Sequence, residues 1–155
     1  MNEPSYLTPQ GHARLKAELA ELKGPRREEL AARLRSAIQM GDLSENADYH
    51  KAKEDQSFLE GRIQELEYIL SNAVLIEEPA GSQDQVVLGV RVTIQEDDYP
   101  EETYHLVGAQ EADPRNGKIS HESPIGRALL DHRVGDVVEA ETPGGTIRLK
   151  IVKIE

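Results

Sequence analysis

Cysteine is absent from these 155 residues, as is tryptophan, and phenylalanine occurs once, at Phe58. The lack of cysteine excludes a disulfide framework and any thiolate metal site. The shortage of aromatics leaves little from which to build an aromatic-lined pocket. Positive charge is also scarce: 18 Lys+Arg face 29 Asp+Glu, a formal net charge of −11. Residues 1–77 carry −4 and residues 78–155 carry −7. Binding of duplex DNA through bulk charge is thereby excluded, because phosphate neutralisation needs clustered cations. No apolar run approaches the length needed to span a bilayer, and Met1-Asn2-Glu3-Pro4 lacks a basic, apolar leader, so a cytoplasmic protein without membrane contact is expected. The five histidines are scattered without metal-ligand spacing, Ser123 lacks a glycine elbow, and no glycine-rich phosphate loop precedes a helix. A self-contained active site is not visible.

What is present is helical periodicity followed by strand alternation. Thr8-Pro9 suits a helix start, with Thr8 as cap and Pro9 in the first position. Leu15, Leu19 and Leu22 are spaced four and three apart. The pattern resumes at Leu30, Leu34 and Ala37/Ile38, slipped by one residue near Gly24-Pro25. That slip predicts a kink, a stutter or two helices in line. Tyr49, Ala52, Gln56, Leu59, Ile63, Leu66, Leu70 and Ala73 then form an a/d seam. An antiparallel coiled-coil hairpin is expected over residues 1–77, about 45 Å long at 1.5 Å rise per residue and too long to lie within a domain of this size.

Residues 78–155 read as a small globular α+β domain. Strands are expected over Val86 to Gln95, Tyr104 to Val107 and Lys118 to Ser120. A short helix opens at Ser123-Pro124 and runs to Asp131. A hairpin turns at Thr142-Pro143-Gly144-Gly145. The expected sheet is curved and antiparallel.

The turn between the two long helical segments, residues 41–49, carries Asp42, Glu45 and Asp48 beside exposed Leu43 and Tyr49. Asp42 with Glu45 fits a capping box. The same two carboxylates can also hold a divalent cation weakly, and such a pair makes chemical sense where another molecule supplies the remaining ligands. Lys51 and Lys53 follow the turn, with Arg33 and Arg35 on the facing helix. These cations fit either a nucleic-acid strand or surface ion pairing such as Lys51 with Asp55.

The stretch Gly41-Asp42-Leu43-Ser44-Glu45-Asn46-Ala47-Asp48-Tyr49-His50 resembles the tip signature of the bacterial Gre family of transcript cleavage factors, and is most similar to its GreA branch. The likeness continues through Glu60-Gly61-Arg62-Ile63, Leu70-Ser71-Asn72-Ala73, Ser123-Pro124-Ile125-Gly126-Arg127-Ala128-Leu129-Leu130, Val134-Gly135-Asp136-Val137-Val138 and Thr142-Pro143-Gly144-Gly145. The resemblance implies a C-terminal domain folded like the FK506-binding proteins, docking on bacterial RNA polymerase through Ser123 and Pro124. It implies that the hairpin enters the secondary channel of the polymerase as a monomer. There Asp42 and Glu45 help to hold a Mg²⁺ shared with the polymerase and the attacking water. Leu43, Ser44, Asn46 and Tyr49 become tip contacts, and Lys51 and Lys53 lie near the 3′ end of the nascent RNA. The polymerase, rather than the factor, performs the hydrolysis that rescues backtracked complexes, which is two-metal catalysis with ligands supplied in trans. The sparse cations on the hairpin favour a GreA-like, short-product activity over a GreB-like one. Three other readings are a channel-occupying paralogue that inhibits the polymerase, against which the intact acid pair argues, a prolyl isomerase, against which the lack of aromatics argues, and an inert coiled-coil scaffold, for which the second domain would be superfluous.

Overall fold

The computed structural model describes residues 4–77, 79 and 81–155. The chain forms two compact units, one of residues 12–72 and one of the described residues of 1–11 and 73–155.

In the first unit, helix α1 (Pro9–Glu21, which begins just before the unit) runs into a π-helical turn over Leu22–Arg26 and then into helix α2 (Arg27–Gln39). The slip in the leucine spacing therefore resolves as neither a break nor a second helix. A π turn takes up one extra residue without ending the helix. Pro25 lies inside it, where the α-helical ladder would have required the N–H that proline lacks. Helix α3 (Ala47–Ser71) returns antiparallel. The pairing is written in its cross-helix ion pairs, Arg62 to Glu18, Arg27 to Glu60 and Arg33 to Asp55, whose numbers ascend on one helix as they descend on the other. Arg27 binds Glu60 through two bonds of 2.9 and 2.8 Å and Arg62 binds Glu18 through two of 2.9 and 3.1 Å, the fork geometry that fixes orientation. Ala52, Ile63 and Leu66 of the expected seam are buried. At its end the buried residue is Ile69, with Leu70 half-buried, and Ala73 has left the helix for a strand. On the facing helix Ala37 is buried and Ile38 is exposed.

The second unit begins with strand β2 (Ala73–Leu75), where the apolar run Val74-Leu75-Ile76 suits a strand, paired in parallel with a strand that the spacing does not reveal, β1 (Ser5–Leu7). The five strands that follow are β3 (Arg91–Glu96), β4 (Glu102–Val107), β5 (Lys118–Ser120), β6 (Val137–Thr142) and β7 (Gly145–Ile154), in spatial order β5-β4-β3-β7-β6. Strand β3 is shorter than expected, because Val86 bonds out to His132 and Gly89 takes φ +96, bending the chain before Arg91. The sheet is mixed rather than antiparallel. Residues 108–117, which contain two 3₁₀ turns, return the chain so that β5 lies parallel to β4, which a tight hairpin could not do. A register shift at Thr93/Ile94 bends β3 against β7. Helix α4 (Pro124–Leu129) starts as expected and stops short of Asp131. Its Leu129 joins Val92, Ile94, Leu106, Leu149 and Ile151 in the core. The boundary expected between residues 77 and 78 falls inside this unit, because β1 and β2 bring both ends of the helical segment into it.

Candidate functional site

The site is the loop between α2 and α3. Helix α2 ends at Gln39 with Met40 as its C-cap, and Gly41 follows at φ +79, the left-handed conformation that a helix terminus favours and that glycine adopts without penalty. Asp42 is also left-handed, at φ +41, a conformation that aspartate tolerates better than most residues. The backbone N–H of Glu45 donates to the Asp42 carbonyl at 3.2 Å, closing a turn.

Asp42 is therefore not the cap of α3. That position belongs to Asn46, whose Oδ1 accepts from the N–H of Tyr49 at 3.0 Å. The expected capping box fails because Asp42 is itself left-handed and a turn follows it before helical geometry begins at Ala47. The Asn46 amide also donates backwards, to the carbonyls of Ala37 at 2.7 Å and Gly41 at 3.2 Å. Asn46 is half-buried, and its side chain is directed into the hairpin.

Relieved of capping, the acids are available. Asp42, Leu43, Ser44 and Glu45 are all exposed. Ser44 Oγ donates to Asp42 Oδ1 at 3.0 Å, and no described residue bonds to the Glu45 carboxylate. The His50 ring lies 3.2 Å from the Ser44 carbonyl and packs edge-on to half-buried Tyr49, centroids 5.5 Å apart. Leu43 is 41% exposed and Met40, which the sequence reading passed over, 65%. The signal for Met40 was its place one residue before the helix-ending glycine.

The donor set fits a partial Mg²⁺ site: two exposed carboxylates three residues apart provide hard oxygen ligands with coordination capacity to spare. No group of three or more His, Asp or Glu with metal-binding geometry occurs among the described residues. Beyond the loop, Lys51 pairs with Asp55 at 3.2 Å and Lys53 donates to Gln56 at 3.2 Å. Asp55 also accepts from Arg33, and these two cations hold its carboxyl below the ordinary aspartate range. Arg27 does the same for Glu60.

In the second unit, Ser123 caps α4, its Oγ accepting from Gly126 N at 3.1 Å and donating to the Ser120 carbonyl at 2.6 Å. Pro124 is exposed at the first helical position. Next to it, Ile125 helps to line an open cleft of about 300 Å³ with Tyr99 and Tyr104, rimmed by Glu96 and Glu102. Two tyrosines therefore stand among its nine lining residues, and the others are aliphatic, acidic or proline, in keeping with the shortage of aromatics. Tyr104 donates its hydroxyl to Glu102 at 2.7 Å, which pushes its pKa up to about 12. No described helix is long and apolar enough to cross a membrane.

Known proteins resemble the chain along its whole length. Residues 5–75 match the family model "Transcription elongation factor, N-terminal", and residues 81–155 match "Transcription elongation factor, GreA/GreB, C-term". The chain is 48% identical to the transcription elongation factor GreA of Roseiflexus castenholzii and 49% identical to that of Thermoanaerobacter pseudethanolicus, with 99% of each chain covered. Among solved structures, the GreA factor homolog 1 protein of Thermus thermophilus is 32% identical, with 99% of both chains covered and a TM-score of 0.45. The chain therefore belongs to the GreA/GreB family of transcription elongation factors.

Proposed function

We propose that this protein is a transcription elongation factor that binds RNA polymerase and stimulates cleavage of the 3′ end of backtracked RNA. The observation that carries this reading is the tip itself. Asp42 and Glu45 are exposed, free of capping duty and too few to bind Mg²⁺ well alone. In the proposed mechanism, Asp42 and Glu45 would hold a Mg²⁺ shared with the polymerase, which when bound would supply Lewis-acid chemistry and make an attacking water easier to deprotonate. The protein's own task is to deliver the two carboxylates at the end of a stiff hairpin and to keep them there. Leu43 and Met40 form an apolar rim against the channel wall, while Lys51 and Lys53 screen the RNA phosphates. The second unit, for which a fold like the FK506-binding proteins is proposed, docks on the polymerase through Ser123 and Pro124. The factor works as a monomer and is not itself a nuclease. The intact acid pair favours this role over that of an inhibitory channel occupant.

The test is a cleavage assay on a stalled, backtracked elongation complex. RNA should shorten from its 3′ end only when polymerase, factor and Mg²⁺ or Mn²⁺ are all present. Hydrolysis of RNA by the purified factor alone, or no stimulation of the polymerase, would contradict the proposal.

A further inference from the structure

We propose that Asn46 is the positioning residue of the acidic tip: its carboxamide ties the end of α2 to the start of α3 and so sets the direction in which Asp42 and Glu45 leave the loop. The inference rests on the reading that these acids complete a metal site in the polymerase. The four residues 42–45 are all exposed, so no packing holds them. Their order comes from the loop's ends and from a few local bonds. Asn46 holds both ends, because the Gly41 carbonyl just before the loop and the Tyr49 N–H just after it bond to the same carboxamide, at 3.2 and 3.0 Å. A third bond, 2.7 Å to the Ala37 carbonyl, fixes that carboxamide to buried Ala37 of α2. Only a carboxamide offers two N–H donors and an acceptor on so short a stem. Aspartate or serine can cap α3 equally well but cannot donate two bonds back to α2. The remaining restraints, the Glu45 N–H to the Asp42 carbonyl, Ser44 to Asp42 and the His50 ring to the Ser44 carbonyl, lie within residues 42–50 and do not reach α2. Without the Asn46 donors, the acids keep their charge and lose their aim.

The experiment uses the full-length protein carrying Asn46→Ser, which keeps the capping acceptor and adds no charge. Thermal melting should fall by only a few degrees, since each of the two lost bonds contributes about 0.5–1.5 kcal/mol, and competition for polymerase should be unchanged. Stimulated cleavage at saturating factor should fall about 10- to 100-fold, the scale of a misplaced catalytic group. The Mg²⁺ concentration for half-maximal cleavage should rise, which neither weaker docking nor a weaker helix would cause. Asn46→Thr, also a cap without the two donors and without added charge, should behave likewise and replaces the serine variant if that protein unfolds. Cleavage equal to that of the parent, or a loss that merely tracks polymerase binding with an unmoved Mg²⁺ midpoint, overturns the inference. Glu45→Gln is measured alongside. Full activity of Glu45→Gln would sink the reading of the tip acids, whereas an inactive Glu45→Gln beside a normal Asn46→Ser would sink only the role of Asn46.

Discussion

At the scale of single residues, two polar side chains do structural work that composition hides. Asn46 is one. The other is Glu111, only 4% exposed, whose carboxylate accepts from the Thr8 N–H at 2.6 Å and from the Thr8 hydroxyl. The acceptor for the start of α1 thus comes from a residue 103 positions away. Thr8 in turn accepts from Gly11 N at 3.1 Å, as its place before Pro9 predicted. Gly11 is required for closeness, since a methyl group there would collide with the Glu111 carboxylate. Gly11→Ala should therefore destabilise by about 1–3 kcal/mol, as overpacking does. For a chain of this length that lowers Tm by about 2–4 °C per kcal/mol. Thermal melting checks it, and an unchanged Tm would show that the carboxylate moves aside freely. The Thr8 cap was legible because capping is local in sequence. Glu111 was not, because its partner is set by tertiary folding. The tip divided the same way. The acids were legible as an exposed pair, but Asp42 is not the cap that its spacing to Glu45 suggests, since a left-handed Asp42 has no signature in residue spacing.

At the scale of elements, the hairpin was the most legible part. Its seam is periodic over many turns, and burial follows it except at its ends, where Ile69 replaces Leu70 and Ala37 is favoured over Ile38. The one-residue slip was visible too, but spacing alone does not distinguish a kink from a π turn. The short strands β1 and β2 went partly unread because three residues carry almost no period. If the acids act by reach, hairpin length matters as much as charge. Deleting residues 28–34 together with 57–63 removes one heptad from each arm, keeps both seams in phase and shortens the hairpin by about 10 Å at 1.5 Å rise per residue. The shortened protein should still bind polymerase in a competition titration and should fail to stimulate cleavage. Normal stimulation would mean that reach is irrelevant.

At the scale of the whole molecule, a net charge of −11 gives no support to general nucleic-acid affinity, and the proposed function assigns recruitment to a protein contact instead. The proposed contact at Pro124 can be probed without disturbing the fold. Pro124 is exposed at the start of α4, where an acidic residue suits the helix dipole. Pro124→Glu should leave Tm nearly unchanged and weaken polymerase binding about 10-fold, equivalent to about 1.4 kcal/mol. Unaltered affinity in a competition titration would move the docking surface elsewhere. The central claim, that the chain lends two carboxylates to another protein's active centre, is tested most directly by cleavage with Asp42→Asn and, separately, Glu45→Gln. Asparagine tolerates the left-handed backbone at 42, and neither side chain packs in the hairpin, so both variants should fold and bind polymerase as the parent does. The account predicts that each, at saturating concentration, occupies the backtracked complex and stimulates no cleavage. Full stimulation by either variant at limiting Mg²⁺ would contradict it.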